Sequence, residues 1–482
     1  MIYEKTPLHF LRSFADTSSD SMAVMQREQA VSYGQLLDHV QQQASYFHYC
    51  GVRPQTRVAL FTDDGVLFTI SLFAIWGLEA VCIPVNITQP PHLLKQIEQV
   101  VTPDIGFFSV SFASHDSRQY PMKELILTTG GARSLATPSA TDRAFIMFTS
   151  GTSGTPKAVP MTHWALGHNA SETASRLKLL PYDRILINTP PYFTSSIIHM
   201  LTMFARGACI VFEPGFLFGS AILDTLVKFE CTGFGGVPVH LTRMLGAAES
   251  SDKEINLRFL MNSGEHLPVP TIKSLMTAFP RSEIYCFYGL TEVAGRLCSL
   301  NPDELVSKIG SVGKPLKDMV ITIRDEMGQC LPPFEQGEVF VLGPGLMQGY
   351  LNSPEANARV MKSYGFATGD LGFLDDEGYL YLQGRKDDVF KVAGEKVSVK
   401  MIEETILGAD EFEDFVVKPL FDEHMGHVPC LYYVLKKKRP FHKKQLLKKL
   451  RSELPASHIP VHFVEVNEIP RTASGKVIRS KL

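Results

Sequence analysis

The order of apolar and polar positions along the chain changes character twice. Up to about residue 310, short runs rich in β-branched and aromatic residues alternate with longer stretches of helical period. "RVALF" (57–61), "AVCIPV" (80–85), "DIGFFSV" (104–110), "AFIMF" (144–148) and "RILINT" (184–189) read as buried strands. "HLLKQIEQVV" (92–101) and "HWALGHNASETASRL" (163–177) read as the helices between them. The longest apolar stretch, 68–85, is broken at Gly77 and carries Glu79, so it predicts a buried helix followed by a strand, not a membrane span. Strands alternating with helices predict layered α/β sheets. Beyond 310 the runs shorten to "VITIRDE", "GEVFVLG" and "GYLYLQG", which predicts a β-rich lobe. After "GYLYLQGRKDD" (378–388) the pattern restarts with "FVVKPL", "CLYYVL" and a basic helix, "KKQLLKKLRSEL" (443–454). The fold class expected is α/β: a large N-terminal domain of layered sheets plus a β-rich lobe, residues 1–386, and a small α+β C-terminal domain, residues 387–482.

Composition narrows the function. A chain of 482 residues is too long for one core, in line with two or more domains. The net charge of −3 argues against nucleic acid as partner. Eight cysteines without a CxxC pair exclude zinc-type spacing and predict free thiols in a reducing compartment. "MIYEKTPLHF" lacks the basic region and apolar run of a secretory signal, so a cytoplasmic location is expected. The ending Ser480-Lys481-Leu482 would be a peroxisomal address in a eukaryotic source only.

Chemistry first shows in "FTSGTSGTPKAV" (148–159). Thr149, Ser150, Thr152, Ser153 and Thr155 supply uncharged donors, Gly151 and Gly154 let backbone approach a guest, and Lys157 adds one mobile charge. Following a buried strand and preceding a helix that begins near Thr162, such a loop suits a polyphosphate. It is not a Walker A loop, because Pro156 precedes the lysine and no Ser or Thr follows it.

Four further stretches keep it company: "YGLTEVAG" from Tyr288, "YGFATGDLG" from Tyr364, "GRKDDVFKVAGEKVSVKMIEE" from Gly384 and "PRTASGKVIRSKL" from Pro470. With "FIMFTSGTSGTPKAVPMTH" they resemble, in order, the core motifs of the adenylate-forming superfamily, which includes acyl-CoA synthetases. "GGVPVHL", "KIGSVGKPL" and "GLMQGYLNSPEA" agree, so the resemblance covers nearly the whole chain. It implies an ATP-dependent acid–thiol ligase that first forms an acyl-adenylate and then a CoA thioester, with ATP, Mg²⁺ and CoA as its cofactors. A separate acyl carrier protein is the alternative acceptor. A non-catalytic binding protein is the reading from another class, and the presence of Lys476, Glu292 and Asp370 speaks against it.

The resemblance also implies roles. The loop 149–157 would wrap the β- and γ-phosphates, Thr291 would meet the α-phosphate and Glu292 would hold Mg²⁺. Asp370 would bind the ribose with Arg385 nearby, and Tyr288 with Gly289 would wall the adenine. Lys476 would reach from a mobile C-terminal domain to the reacting oxygens. Asp387 falls at the hinge, and Lys391, Ala393, Gly394 and Lys396 fall on the pantetheine path.

The acid is less legible. Phe193, Val237, Gly264 and Arg243 are the expected acyl-pocket residues, and Phe193 stands where many members carry a histidine. The apolar character of Phe193 and Val237 predicts a fatty or aryl acid. Arg243, placed where malonate-activating members carry an arginine, and Arg296, which follows "TEVAG", leave a dicarboxylate as the alternative. His266 is either a pocket wall or a residue at a helix start.

Overall fold

A computed structural model describes the chain except for residues 1–5, 88, 90, 109–117, 122–132, 150–156, 214–217, 387–388, 393–394, 408, 410, 423–425, 437–438 and 472–476. Among the described residues the largest sheet has nine strands. Five of them, Glu283–Tyr288, Phe259–Asn262, Gly233–Gly236, Arg184–Ile187 and Cys209–Phe212, lie side by side and parallel. Met22–Gln26 extends the parallel set, and antiparallel strands close both edges.

A second sheet of six strands contains Arg57–Phe61, Val81–Pro84, Ile105–Phe108 and Arg143–Thr149 in parallel. These match the apolar runs of the sequence to within a residue or two at each end. Lys157–Thr162 completes that sheet antiparallel to Arg143–Thr149. The phosphate-type loop therefore joins two paired strands, Thr149 lying opposite Lys157, a pairing the sequence did not reveal. The helix begins one strand later, at His163, where the Thr162 hydroxyl accepts from Ala165 N at 3.1 Å.

The two sheets sandwich helices. Gly65–Gly77 is apolar on every side and buried along its length, as a helix between two sheets must be. Asp64 caps it, and the Trp76 indole donates to Ala144 O at 2.7 Å, tying it to the six-stranded sheet. The shared core runs from Val24, Ile185 and Phe259 on one sheet to Val58, Leu60 and Phe145 on the other. On the opposite face of the nine-stranded sheet, helices Gly219–Lys228, Pro238–Ala248 and Val269–Ala278 bury Leu223, Met244 and Leu275. A parallel sheet covered on both faces opens its ligand crevice at the carboxyl ends of its strands.

The β-rich lobe is a five-stranded sheet built on Gly365–Leu374. The C-terminal unit has its own core of Val397, Ile402, Val417, Leu431, Leu446 and Leu450. Its basic helix, Lys443–Glu453, turns the leucines inward and leaves Lys443, Lys444 and Lys448 exposed. All eight cysteines are free and seven are buried. No helix among the described residues is long and apolar enough to cross a membrane.

Candidate active site

The strand Glu283–Tyr288, the last of the parallel set, leads into a tight turn. Leu290 leads to a single 3-10 turn, Thr291–Val293, after which Ala294 (φ 57°) and Gly295 (φ 103°) reverse the chain through left-handed conformations. The return is close: Leu297 N donates to Tyr288 O at 2.8 Å. A Cβ on Gly289 would lie 1.7 Å from Gly295 O, so only glycine fits there. Asn169, from the helix His163–Arg176, donates to Arg296 O at 2.6 Å and Val293 O at 3.3 Å, fixing the turn from behind.

This turn presents Thr291 and Glu292. The Thr291 hydroxyl lies 3.5 Å from that of Thr194, the first residue of the helix Thr194–Phe204. Glu292 is 8% exposed and accepts from the Tyr350 hydroxyl at 2.8 Å. Burial, then the Glu292 charge, pushes the Tyr350 phenol up, so it stays a neutral donor. Among the described residues the Glu292 carboxylate is held by this neutral hydroxyl and by no ion pair. Lys157 lies close by, its Nζ 4.9 Å from the centre of the Tyr350 ring. A buried carboxylate held by one neutral donor fits a hard divalent cation.

The second buried carboxylate is Asp370, 7% exposed, on the strand Gly365–Leu374. It pairs in register with Arg385, whose Nη1 donates to Oδ1 at 3.2 Å. Its other oxygen accepts from the Tyr288 hydroxyl at 2.5 Å. Burial and the Asp370 charge raise the Tyr288 phenol as well. Tyr288 therefore links the strand Glu283–Tyr288 to the lobe and holds Asp370 in place. The Arg385 side chain is 45% exposed, so its ion pair is screened and weak.

The structure brings Thr149, Lys157, Tyr288, Gly289, Thr291, Glu292, Asp370 and Arg385 into this framework. Ser150, Gly151, Thr152, Ser153, Gly154, Thr155, Asp387, Ala393, Gly394 and Lys476 lie outside the described residues. Lys391 and Lys396 are backbone register partners in the paired strands Val389–Val392 and Glu395–Ser398.

On the acid side, Phe193 precedes the first turn of Thr194–Phe204, half-buried, its ring 5.0 Å from that of Tyr192. Val237 is buried, and a Cβ on Gly264 (φ 91°) would come 3.2 Å from it. Arg243 departs from expectation. It is exposed on Pro238–Ala248, with the charges of Arg471, Asp414 and Glu413 from the C-terminal unit around it. A helix repeat of 3.6 residues turns it away from the buried Leu241 and Met244.

Sequence reasoning missed several groups. Tyr350 lies in "GLMQGYLNSPEA", whose tyrosine carried no signal of a partner 58 residues away. His199 stands alone in the apolar run "SIIHMLTMF", and a histidine there was the available clue. His266 lines a small cavity with Asn262, Leu267 and Phe287, as its pocket-wall reading expected, and it also meets Glu404 of the C-terminal unit at 3.3 Å. Lys400, half-buried beside Glu404 at 3.5 Å, feels the Asp370 charge.

Two buried carboxylates, Glu292 and Asp370, are thus each held by a tyrosine hydroxyl. The family model "AMP-binding enzyme" matches residues 11–351, and "AMP-binding enzyme C-terminal domain" matches 401–476. The chain belongs to the AMP-binding enzymes, and within them to the acyl-CoA synthetase-like, AMP-forming acid–thiol ligases. It is similar to the 2-succinylbenzoate–CoA ligase of Bacillus velezensis, 28% identical over 480 residues, covering 97% of this chain and 96% of the relative. Its fold is similar to o-succinylbenzoate CoA synthetase from Bacillus subtilis in complex with the acyl-adenylate intermediate, with TM-score 0.89, 25% identity and coverage of 98% and 97%. The same Bacillus subtilis enzyme in complex with ATP and magnesium ion gives TM-score 0.88 at 25% identity, covering 98% of each chain.

Proposed function

We propose that this enzyme activates an aryl carboxylic acid through an acyl-adenylate and passes the acyl group to CoA, with 2-succinylbenzoate the first acid to test. The observation that carries the reading is the pair of buried carboxylates, Glu292 without a counter-cation and Asp370 held by Tyr288 and Arg385. In the first half-reaction an oxygen of the acid attacks the α-phosphorus of ATP and pyrophosphate leaves. Thr291 donates to the α-phosphate, and the loop from Thr149 to Lys157 takes the charge of the departing pyrophosphate. Magnesium, when bound at Glu292, neutralises charge on the phosphates. Asp370 accepts from the ribose hydroxyls, Arg385 supports it, and Tyr288 with Gly289 faces the adenine. Lys476 follows the negative charge as it moves from acid to phosphate.

In the second half-reaction the CoA thiol attacks the acyl carbonyl, the thiol proton is lost, and AMP leaves. Lys391, Ala393, Gly394 and Lys396 form the path for the pantetheine arm. The boundary falls between residues 386 and 387, with Asp387 as hinge, so that one small domain serves the two steps in turn. CoA is the acceptor, since the relatives above are named as CoA ligases. A separate carrier protein has no observation in its favour.

The test is pyrophosphate release over a panel of aryl, fatty and dicarboxylic acids, with and without CoA. The reading expects an aryl acid to give the fastest release and a CoA-dependent rise in turnover. Fastest release with a simple fatty acid would overturn the aryl assignment.

A further inference from the structure

The acid side of the site holds a buried cation that the fold leaves uncompensated. Arg296 is 3% exposed, four positions beyond Glu292. Its Nη1 donates to the Thr202 hydroxyl at 3.0 Å, and its guanidinium carbon lies 4.8 Å from the centre of the Phe287 ring. Thr202 spends its own proton on Ile198 O at 2.6 Å. Arg296 Nε has no acceptor, and no carboxylate pairs with the side chain among the described residues. Burial is the one influence on its ionisation, pulling it down to about 9, so it remains charged at neutral pH. Burying a guanidinium this way, without an anion, costs several kcal/mol.

A second unsatisfied group lies near enough to feel that charge. His199, also 3% exposed, uses Nδ1 on Ser195 O at 2.5 Å, which leaves Nε2 as a buried acceptor without a donor. Burial first, then Arg296, holds the imidazole neutral. Across from it the strand Gly233–Gly236 carries Gly235, where a Cβ would come 2.9 Å from His199 Nε2. Glycine thus lets this strand approach His199 more closely than any other residue would allow.

Both groups belong to the acid side. Arg296 follows the Thr291–Glu292 turn, and His199 lies on the helix whose Thr194 touches Thr291. From Thr194 to His199 is about 7.5 Å along the helix, the span of a substituted aromatic ring. We propose that Arg296 is the specificity residue of the acyl pocket, binding a second carboxylate carried at the far end of the acid, with His199 accepting from a water that bridges to the same carboxylate. The inference rests on the 2-succinylbenzoate reading and adds the residue that would hold the second carboxylate of such a diacid. It replaces Arg243, which the fold turns outward, as the arginine responsible. A bidentate arginine–carboxylate pair in a buried site rejects the analogue lacking the anion strongly, because the guanidinium is then left unpaired.

The experiment compares 2-succinylbenzoate with 4-oxo-4-phenylbutanoate, the same molecule without its ring carboxylate, by kcat/KM for adenylate formation. The wild-type enzyme is expected to favour the diacid by about 100-fold or more. Arg296→Met, which keeps the volume and removes the charge, is expected to lose that preference while its rate with the monoacid holds or rises. Arg296→Lys is expected to recover part of the preference, and thermal denaturation of Arg296→Met without ligand to show no loss of Tm. Equal use of the two acids by the wild type overturns this inference alone, with no variant needed. So does equal loss on both acids in Arg296→Met with a lowered Tm, the mark of a structural arginine. Adenylate with neither acid overturns the aryl-acid reading and this inference together.

Discussion

The nucleotide side and the acid side of the crevice carry opposite uncompensated charges. On the nucleotide side Glu292 is a buried anion whose recorded partner is the neutral Tyr350. On the acid side Arg296 is a buried cation whose recorded partners are the Thr202 hydroxyl and the Phe287 ring. They are four residues apart on one turn and both face away from bulk water. Elsewhere the fold pairs its buried charges. Asp183, fully buried, is held by Arg258 and by the Thr232 hydroxyl at 2.8 Å. Asp375 is held by Lys308 at 2.9 Å. Among the described residues Glu292 and Arg296 contrast with these pairs, and the proposed function supplies their partners from outside: a cation with ATP and an anion on the acid.

Each half of that contrast can be broken separately. The largest effect is expected from Glu292→Gln, which removes the anion and keeps the shape. Adenylate formation should fall by about 100- to 1,000-fold, the loss typical of removing a group that stabilises transition-state charge. Excess Mg²⁺ in a pyrophosphate-release assay should recover little. A rate near wild type would mean that Glu292 is structural. Lys476→Ala should fall in the same range for adenylate formation, while thiolysis of a supplied acyl-adenylate should be spared.

Smaller changes sharpen the picture. Asp370→Asn keeps one acceptor but loses charge, and a KM for ATP raised about tenfold is expected, with kcat less affected. Tyr350→Phe deletes one hydrogen bond to a charged group, so the apparent Mg²⁺ requirement should rise about tenfold, in line with about 1.5 kcal/mol. Smallest of all is Arg243→Ala. Its exposed position predicts no change in discrimination between monoacids and diacids, measured as the ratio of their kcat/KM values.

Much of the fold was legible because buried parallel strands leave continuous apolar runs: "RVALF" is the strand Arg57–Phe61 residue for residue. The all-apolar helix before Gly77 was equally plain, since Gly65–Gly77 has no polar face to confuse the period. The strand Lys157–Thr162 was missed because "KAVPMT" holds a proline and alternates weakly, and its pairing with Arg143–Thr149 is a tertiary fact. In the site, motif residues such as Glu292 and Asp370 were legible from local sequence. Their partners were not. Tyr350 reaches Glu292 over 58 positions and Tyr288 reaches Asp370 over 82. Arg243 and Arg296 could not be ranked from sequence, since each follows a motif bordering the same pocket. Burial separates them: one is exposed on a helix and the other is 3% exposed under the Thr291–Val293 turn.

The most direct test of the central claim is mass analysis of the wild-type enzyme incubated with ATP, Mg²⁺ and 2-succinylbenzoate, first without CoA and then with it. The account predicts pyrophosphate and an enzyme-held acyl-adenylate in the first tube, and a CoA thioester with stoichiometric AMP in the second. ADP and inorganic phosphate in place of AMP and pyrophosphate would contradict it.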